Sequence, residues 1–160
     1  MHILDFIERF PGEHQCALYF KEIREHGGIE CQNCGSKDHV WIESSYQFMC
    51  MQCGTIQDIK TGTLMEDSGL PFRYWFLAIY MFTLADKPYT LQEIHKKMYY
   101  MEPGQGIVML ERLQGIINST LRKQNFDMLL AACLKKPERN SSFNFNKLPV
   151  RNNSSVEKSI

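Results

Sequence analysis

Neither sign of charge is in excess in this chain of 160 residues, where 18 Lys/Arg stand against 18 Asp/Glu, so its overall charge calls for no particular partner. No apolar run reaches the ~20 residues needed to cross a bilayer. The longest, Leu70 to Ala85, is too short and is interrupted by Arg73, so it reads as a buried helix and no membrane partner is expected. No secretory leader is expected either: Asp5, Glu8 and Arg9 break up the apolar residues between Met1 and Phe10. Without export, thiols stay reduced, which disfavours disulfides and sets the expected compartment as the cytoplasm. Cysteine numbers six in all, and no internal repeat is visible beyond two short cysteine motifs.

Those two motifs are the most informative part of the chain. Cys31-Gln-Asn-Cys34-Gly35 and Cys50-Met-Gln-Cys53-Gly54 are separated by fifteen residues between Cys34 and Cys50. Two Cys-x-x-Cys pairs at this separation have the spacing of a structural zinc site, each pair aiming two thiolates at one metal. A glycine after each second cysteine suits the turn under the metal, because Gly takes positive φ cheaply. The competing readings are two disulfides or four unrelated buried thiols, and the reduced compartment argues against the first. Between the pairs, His39 to Glu43 and Tyr46 to Met49 flank Ser44-Ser45 and read as a hairpin, with a third strand over Thr55 to Lys60. His39 is read as a strand residue near the metal, since structural sites close at four ligands. Trp41, Tyr46 and Phe48 read as ribbon core in preference to base-stacking platforms. Cys16 and Cys133, outside the quartet, read as small buried hydrophobes.

The fold class that follows is small α+β in three segments. Residues 1–66 hold an amphipathic helix over Glu13 to His26, stopped by Gly27-Gly28, and the ribbon. Residues 67–135 form a helical bundle: a buried helix after Pro71, capped by Asp67 or Ser68 and ended by Asp86-Lys87-Pro88; then a helix opened by the capping box Thr90-Leu-Gln-Glu93. Ile107, Leu110, Leu113, Ile117 and Leu121 recur at helical spacing, and Phe126, Leu129, Leu130 and Leu134 suggest one more short helix. Helix, capped helix, turn, amphipathic helix is a helix-turn-helix layout. Residues 136–160 are rich in Asn and Ser and are expected to be a disordered tail.

Charge is divided along the chain although it cancels overall. Residues 1–70 carry 5 Lys/Arg against 11 Asp/Glu, and residues 71–160 carry 13 against 7. A polyanion would meet the second half first, with Lys96, Lys97, Arg112, Arg122 and Lys123 as phosphate contacts. Arg112 has the chemistry to pair with guanine, and Gln114 or Asn118 with adenine.

Phe10-Pro11 ahead of Cys16, the two cysteine knuckles, Thr61-Gly62-Thr63, and Leu70-Pro-Phe-Arg-Tyr-Trp-Phe-Leu-Ala-Ile-Tyr80 occur here in order. Together they resemble the zinc-ribbon domain that opens certain bacterial insertion-sequence transposases. The resemblance covers roughly residues 6 to 85 and runs more loosely to about Arg122. It implies one structural zinc held by Cys31, Cys34, Cys50 and Cys53, and recognition of double-stranded DNA at transposon ends, with Ile107 to Leu121 as the recognition helix. In that family a downstream RNase H-like domain does the cutting. No such domain is expected in these residues: after Leu121 the acids are Asp127, Glu138 and Glu157, too few and too scattered for two-metal strand transfer. The expectation is therefore a DNA-binding module that is not an enzyme and takes no small-molecule substrate, working with a catalytic subunit or by self-association. The alternative is a protein-interaction module.

Overall fold

The computed structural model describes residues 2–83, 89–98, 104–117 and 126–134. It is a small α+β protein in which a three-stranded antiparallel sheet and six helices share one buried cluster. The tail expected over 136–160 lies outside the described residues, as does the helix end expected at Asp86-Lys87-Pro88.

Helix α1 (Ile3–Arg9) was not expected from the sequence. His2 caps it: its ring nitrogen accepts from the Leu4 N–H at 3.4 Å, and the Asp5 carboxylate accepts from the His2 N–H at 2.9 Å. Histidine is not among the residues that flag a helix start. Helix α2 (Glu13–Gly27) buries Cys16, Ala17, Phe20 and Arg24 and ends at Gly28, as its spacing predicts. Strands β1 (His39–Ile42) and β2 (Gln47–Cys50) pair around a tight turn at Glu43–Ser45, and β3 (Ile56–Asp58) adds to β2, giving the order β1-β2-β3.

Helix α3 (Phe72–Thr83) carries the centre of the core, with Trp75, Phe76 and Ile79 each 0% exposed. Its cap differs from the expected one. Neither Asp67 nor Ser68 supplies it: Asp67 takes a left-handed backbone, and the Ser68 hydroxyl accepts from Leu70 N–H. The Glu13 carboxylate does, accepting from Phe72 N–H at 2.7 Å and Arg73 N–H at 2.9 Å. Pro71 has no N–H, so these are the first donors the helix offers, and a charged acceptor at a helix start is favoured twice over, by hydrogen bonding and by the helix dipole. The start of α2 is thereby tied to the start of α3.

Helix α4 (Leu91–Met98) opens with the expected capping box: Glu93 accepts from Thr90 N–H at 2.8 Å, and the Thr90 hydroxyl accepts from Glu93 N–H at 3.3 Å. Helix α5 (Gln105–Ile117) buries Met109, Leu110 and Leu113, and α6 (Phe126–Ala132) buries Phe126 and Leu130. Cys16 and Cys133 are both 0% exposed, and burial pushes each thiol up to about 12, as befits small hydrophobes.

Candidate metal centre

Both Cys-x-x-Cys segments fold as the same tight turn. Gly35 N–H donates to Cys31 O at 2.8 Å, and Gly54 N–H donates to Cys50 O at 2.9 Å. Each glycine closes its turn in the left-handed region, at φ +74° and +72°, which a side-chain-bearing residue would reach only with strain. The Cys31 and Cys50 N–H groups then donate to Ser36 O and Thr55 O, both at 2.9 Å, so each turn returns onto its own start.

The hairpin brings the two turns together. The sulfurs of Cys31 and Cys53 lie 3.6 Å apart, as do those of Cys34 and Cys50, and all four ligand atoms fall within 4.8 Å of one another. Metal–sulfur bonds of about 2.3 Å in a tetrahedron put neighbouring sulfurs about 3.8 Å apart, so the quartet already has the dimensions of a closed four-thiolate site. Cys31 and Cys50 are buried beneath it, and Cys34 and Cys53 form its exposed side.

The local electrostatics point the same way. The Thr55 hydroxyl, 3.1 Å from the Cys53 sulfur, and the Thr55 N–H hold that thiol down to about 5. The N–H of Cys53 lowers Cys50 as well. Cys34 behaves oppositely: the Ser36 N–H favours its thiolate, but hydrogen bonding to Cys53, desolvation, and hydrogen bonding to Cys50 and Cys31 raise it to about 12. Sulfurs this close cannot all ionise unaided, and a cation is what lets the last proton leave. Four cysteines thus sit where they can hold one metal ion.

Gln57 and Thr55 were not singled out in the sequence. The buried Gln57 amide accepts from Gln32 N–H at 3.2 Å and donates to Glu30 O at 3.3 Å, clamping the first turn onto β3. A Thr two places after the last cysteine was the only local signal. His39 is at the start of β1 as expected, with Nδ1 2.7 Å from Lys37 O, and it is not in the metal-ligating group.

Of the residues expected to meet nucleic acid, the structure describes Lys96, Lys97, Arg112 and Gln114. Lys96 and Lys97 are exposed on α4, with the Lys97 ammonium 5.1 Å from the Tyr89 ring centroid. Asn118, Arg122 and Lys123 lie outside the described residues. Two expectations for the face of α5 are corrected. Gln114, taken as outward, is 9% exposed, because four residues after Leu110 and seven after Ile107 it falls on the same helix face as the aliphatic row. Arg112 turns back onto the fold, and one guanidinium nitrogen donates to Leu64 O at 2.9 Å and Glu66 O at 2.7 Å. These two carbonyls belong to the link between sheet and α3, which Lys60 also holds by donating to Ser68 O and Leu70 O at 3.2 and 2.7 Å. Arg112→Ala is expected to cost about 2–3 kcal/mol in denaturant unfolding, since hydrogen bonds from a charged group are the stronger kind. Arg112→Lys should recover part of it, and an unchanged midpoint for Arg112→Ala would remove Arg112 from the framework.

A small α+β protein with a four-cysteine metal site is the class these features define. Over 79 residues the chain is 29% identical to the protein described as "Uncharacterized protein in transposable element ISH50" of Halobacterium salinarum. The matched stretch is 48% of this chain and 27% of that protein, so the chain spans about a quarter of the relative's length. No family model matches the chain, and no solved structure matches it. Among the described residues no helix is long and apolar enough to cross a membrane.

Proposed function

We propose that this chain is a zinc-dependent DNA-binding module of a transposition system, recognising double-stranded DNA at transposon ends. The observation that carries this reading is the similarity to a transposable-element protein in a chain that also builds a four-cysteine site. The metal is zinc, because an all-thiolate tetrahedral set in a reducing compartment suits a structural zinc ion, which needs no open coordination position. Its role is to hold the ribbon, and through Gln57 the link that leads to the helices. Strand transfer lies outside the role proposed for these residues, which a catalytic subunit or self-association would complement. Lys96 and Lys97 on α4 are the described residues best placed to meet phosphates.

Titrating the zinc-loaded protein onto duplex DNA against salt tests the reading. Affinity should fall linearly in log salt, with a slope of about 0.9 per phosphate neutralised. Lys96→Gln with Lys97→Gln should reduce that slope by about 2 while leaving the metal content unchanged. No binding at low salt would instead favour a protein-interaction module. That second reading has an observation of its own: Arg112 and Gln114, which have base-reading chemistry, are turned inward.

A further inference from the structure

The four sulfurs of the metal centre fall into two pairs of the same make. Cys53 is exposed and its sulfur lies 3.6 Å from that of the buried Cys31; Cys34 is exposed and its sulfur lies 3.6 Å from that of the buried Cys50. Both contacts cross from one Cys-x-x-Cys turn to the other. The residues between the cysteines, Gln32, Asn33, Met51 and Gln52, are themselves exposed, so solvent reaches one side of the quartet. The two remaining cysteines differ: Cys16 and Cys133 are 0% exposed in the core.

A sulfur bound to a metal carries no proton and keeps lone pairs, so it is a nucleophile toward a hydroperoxide wherever the oxidant reaches it. Access selects Cys34 and Cys53 for that attack, and position selects the buried partner of each for the step that follows. We infer that the metal centre is an oxidation-sensitive clasp, in which a hydroperoxide joins Cys53 to Cys31 and Cys34 to Cys50 and the metal leaves. Such a clasp needs the four-cysteine metal centre and nothing of the DNA-binding reading.

In the first step the Cys53 sulfur attacks one peroxide oxygen. The S–O bond forms, the O–O bond breaks, and the departing hydroxide takes a proton from solvent to become water. The sulfur has been oxidised by two electrons to a sulfenic acid. It is now a poorer ligand, which frees the Cys31 thiolate 3.6 Å away. In the second step that thiolate attacks the Cys53 sulfur: the S–S bond forms, the S–O bond breaks, and a second hydroxide leaves and is protonated. The two sulfurs close by only about 1.5 Å to reach the bonded distance. Each disulfide thus consumes one peroxide and two protons and yields two waters, and Cys34 with Cys50 follows using a second peroxide. Both bonds tie one turn to the other, and a dithiol reductant returns them to thiols that rebind the metal.

The test treats the full zinc-loaded chain with two equivalents of hydrogen peroxide and follows released metal with a chelating dye. Trypsin cuts after Arg24, Lys37 and Lys60, so residues 25–37 carry one pair of cysteines and residues 38–60 the other. Metal release should reach one ion per chain as the four ligand thiols are lost. The two tryptic peptides should then be found joined by mass spectrometry, and fragmentation should assign Cys31 to Cys53 and Cys34 to Cys50. Alkylation after denaturation should find Cys16 and Cys133 still reduced, and dithiothreitol with added zinc should restore the parent state. Peptides that stay apart, each with an internal disulfide, would overturn the proposal, as would the pairing of Cys31 with Cys50, or metal that stays bound while the thiols are lost. A chain that holds no metal before the oxidant is added would remove the metal centre itself, and the clasp with it.

Discussion

Replacing Cys31 or Cys50 by serine is expected to abolish metal binding and unfold the ribbon, the largest effect any single change should have here. Both are buried at the base of the site, at 3% and 2% exposure, and each supplies one of four sulfurs already spaced for a tetrahedron. A neutral hydroxyl replaces a thiolate poorly, and three ligands leave the ion open to water. Structural zinc contributes roughly 10–16 kcal/mol in small zinc peptides. A typical domain is stable by only about 5–15 kcal/mol, so the ribbon cannot absorb the loss. Elemental analysis should fall from one metal per chain to none, and a chelator should produce the same unfolding in the parent protein. Cys16→Ser is the control. It buries a hydroxyl among apolar side chains at a cost of about 1–3 kcal/mol but should keep the full metal content. Retained metal and an intact fold in both ligand variants would disprove the site.

The contrast between Cys16 and the quartet also shows why some of this molecule is legible in the sequence and some is not. Features written within a few residues are readable. The Cys-x-x-Cys-Gly turns, the Ser44-Ser45 hairpin and the Thr90–Glu93 capping box are each closed by neighbours in the chain, so residue type and spacing suffice. Hydrophobic period likewise marks the buried face of α2, and an unbroken apolar run marks α3 as a buried helix. What period does not give is the partner. Glu13 caps a helix 59 residues away, Arg112 reaches back 46 and 48 residues to two carbonyls, and Gln57 clamps a turn 25 residues earlier. Asp127, counted in the sequence as a stray acid, accepts from Tyr19, and with Arg9 it joins α6 to α1 and α2. A polar side chain that the fold consumes looks in the sequence like one left free for a ligand. That is how Arg112 and Gln114 came to resemble base readers.

Phe10→Ala carries the second large expected effect, and it separates the core from the metal. Phe10 follows α1 at the junction with Pro11 and is 1% exposed. Its ring lies 5.4 Å from Phe6, 5.2 Å from Tyr19, 5.0 Å from Phe76 and 5.5 Å from Phe126, so it is packed by α1, α2, α3 and α6 together. Edge-to-face pairs such as Phe10–Phe76 add to the area buried. Truncating a fully buried Phe typically costs about 3–5 kcal/mol, because the cavity adds to the lost transfer energy. At about 2–4 °C per kcal/mol for a chain of this size, the melting temperature should fall by about 6–20 °C. Phe10→Leu, which refills most of the volume, should recover more than half of that fall. Metal content below the transition should stay at the parent value, since no ligand is touched. Phe48 and Ile59 of the ribbon belong to the same buried cluster as Phe10, so ribbon and helices should lose structure in one transition. Two separate transitions, or a melt unchanged from the parent, would mean that the four helices do not bear on one another through this ring.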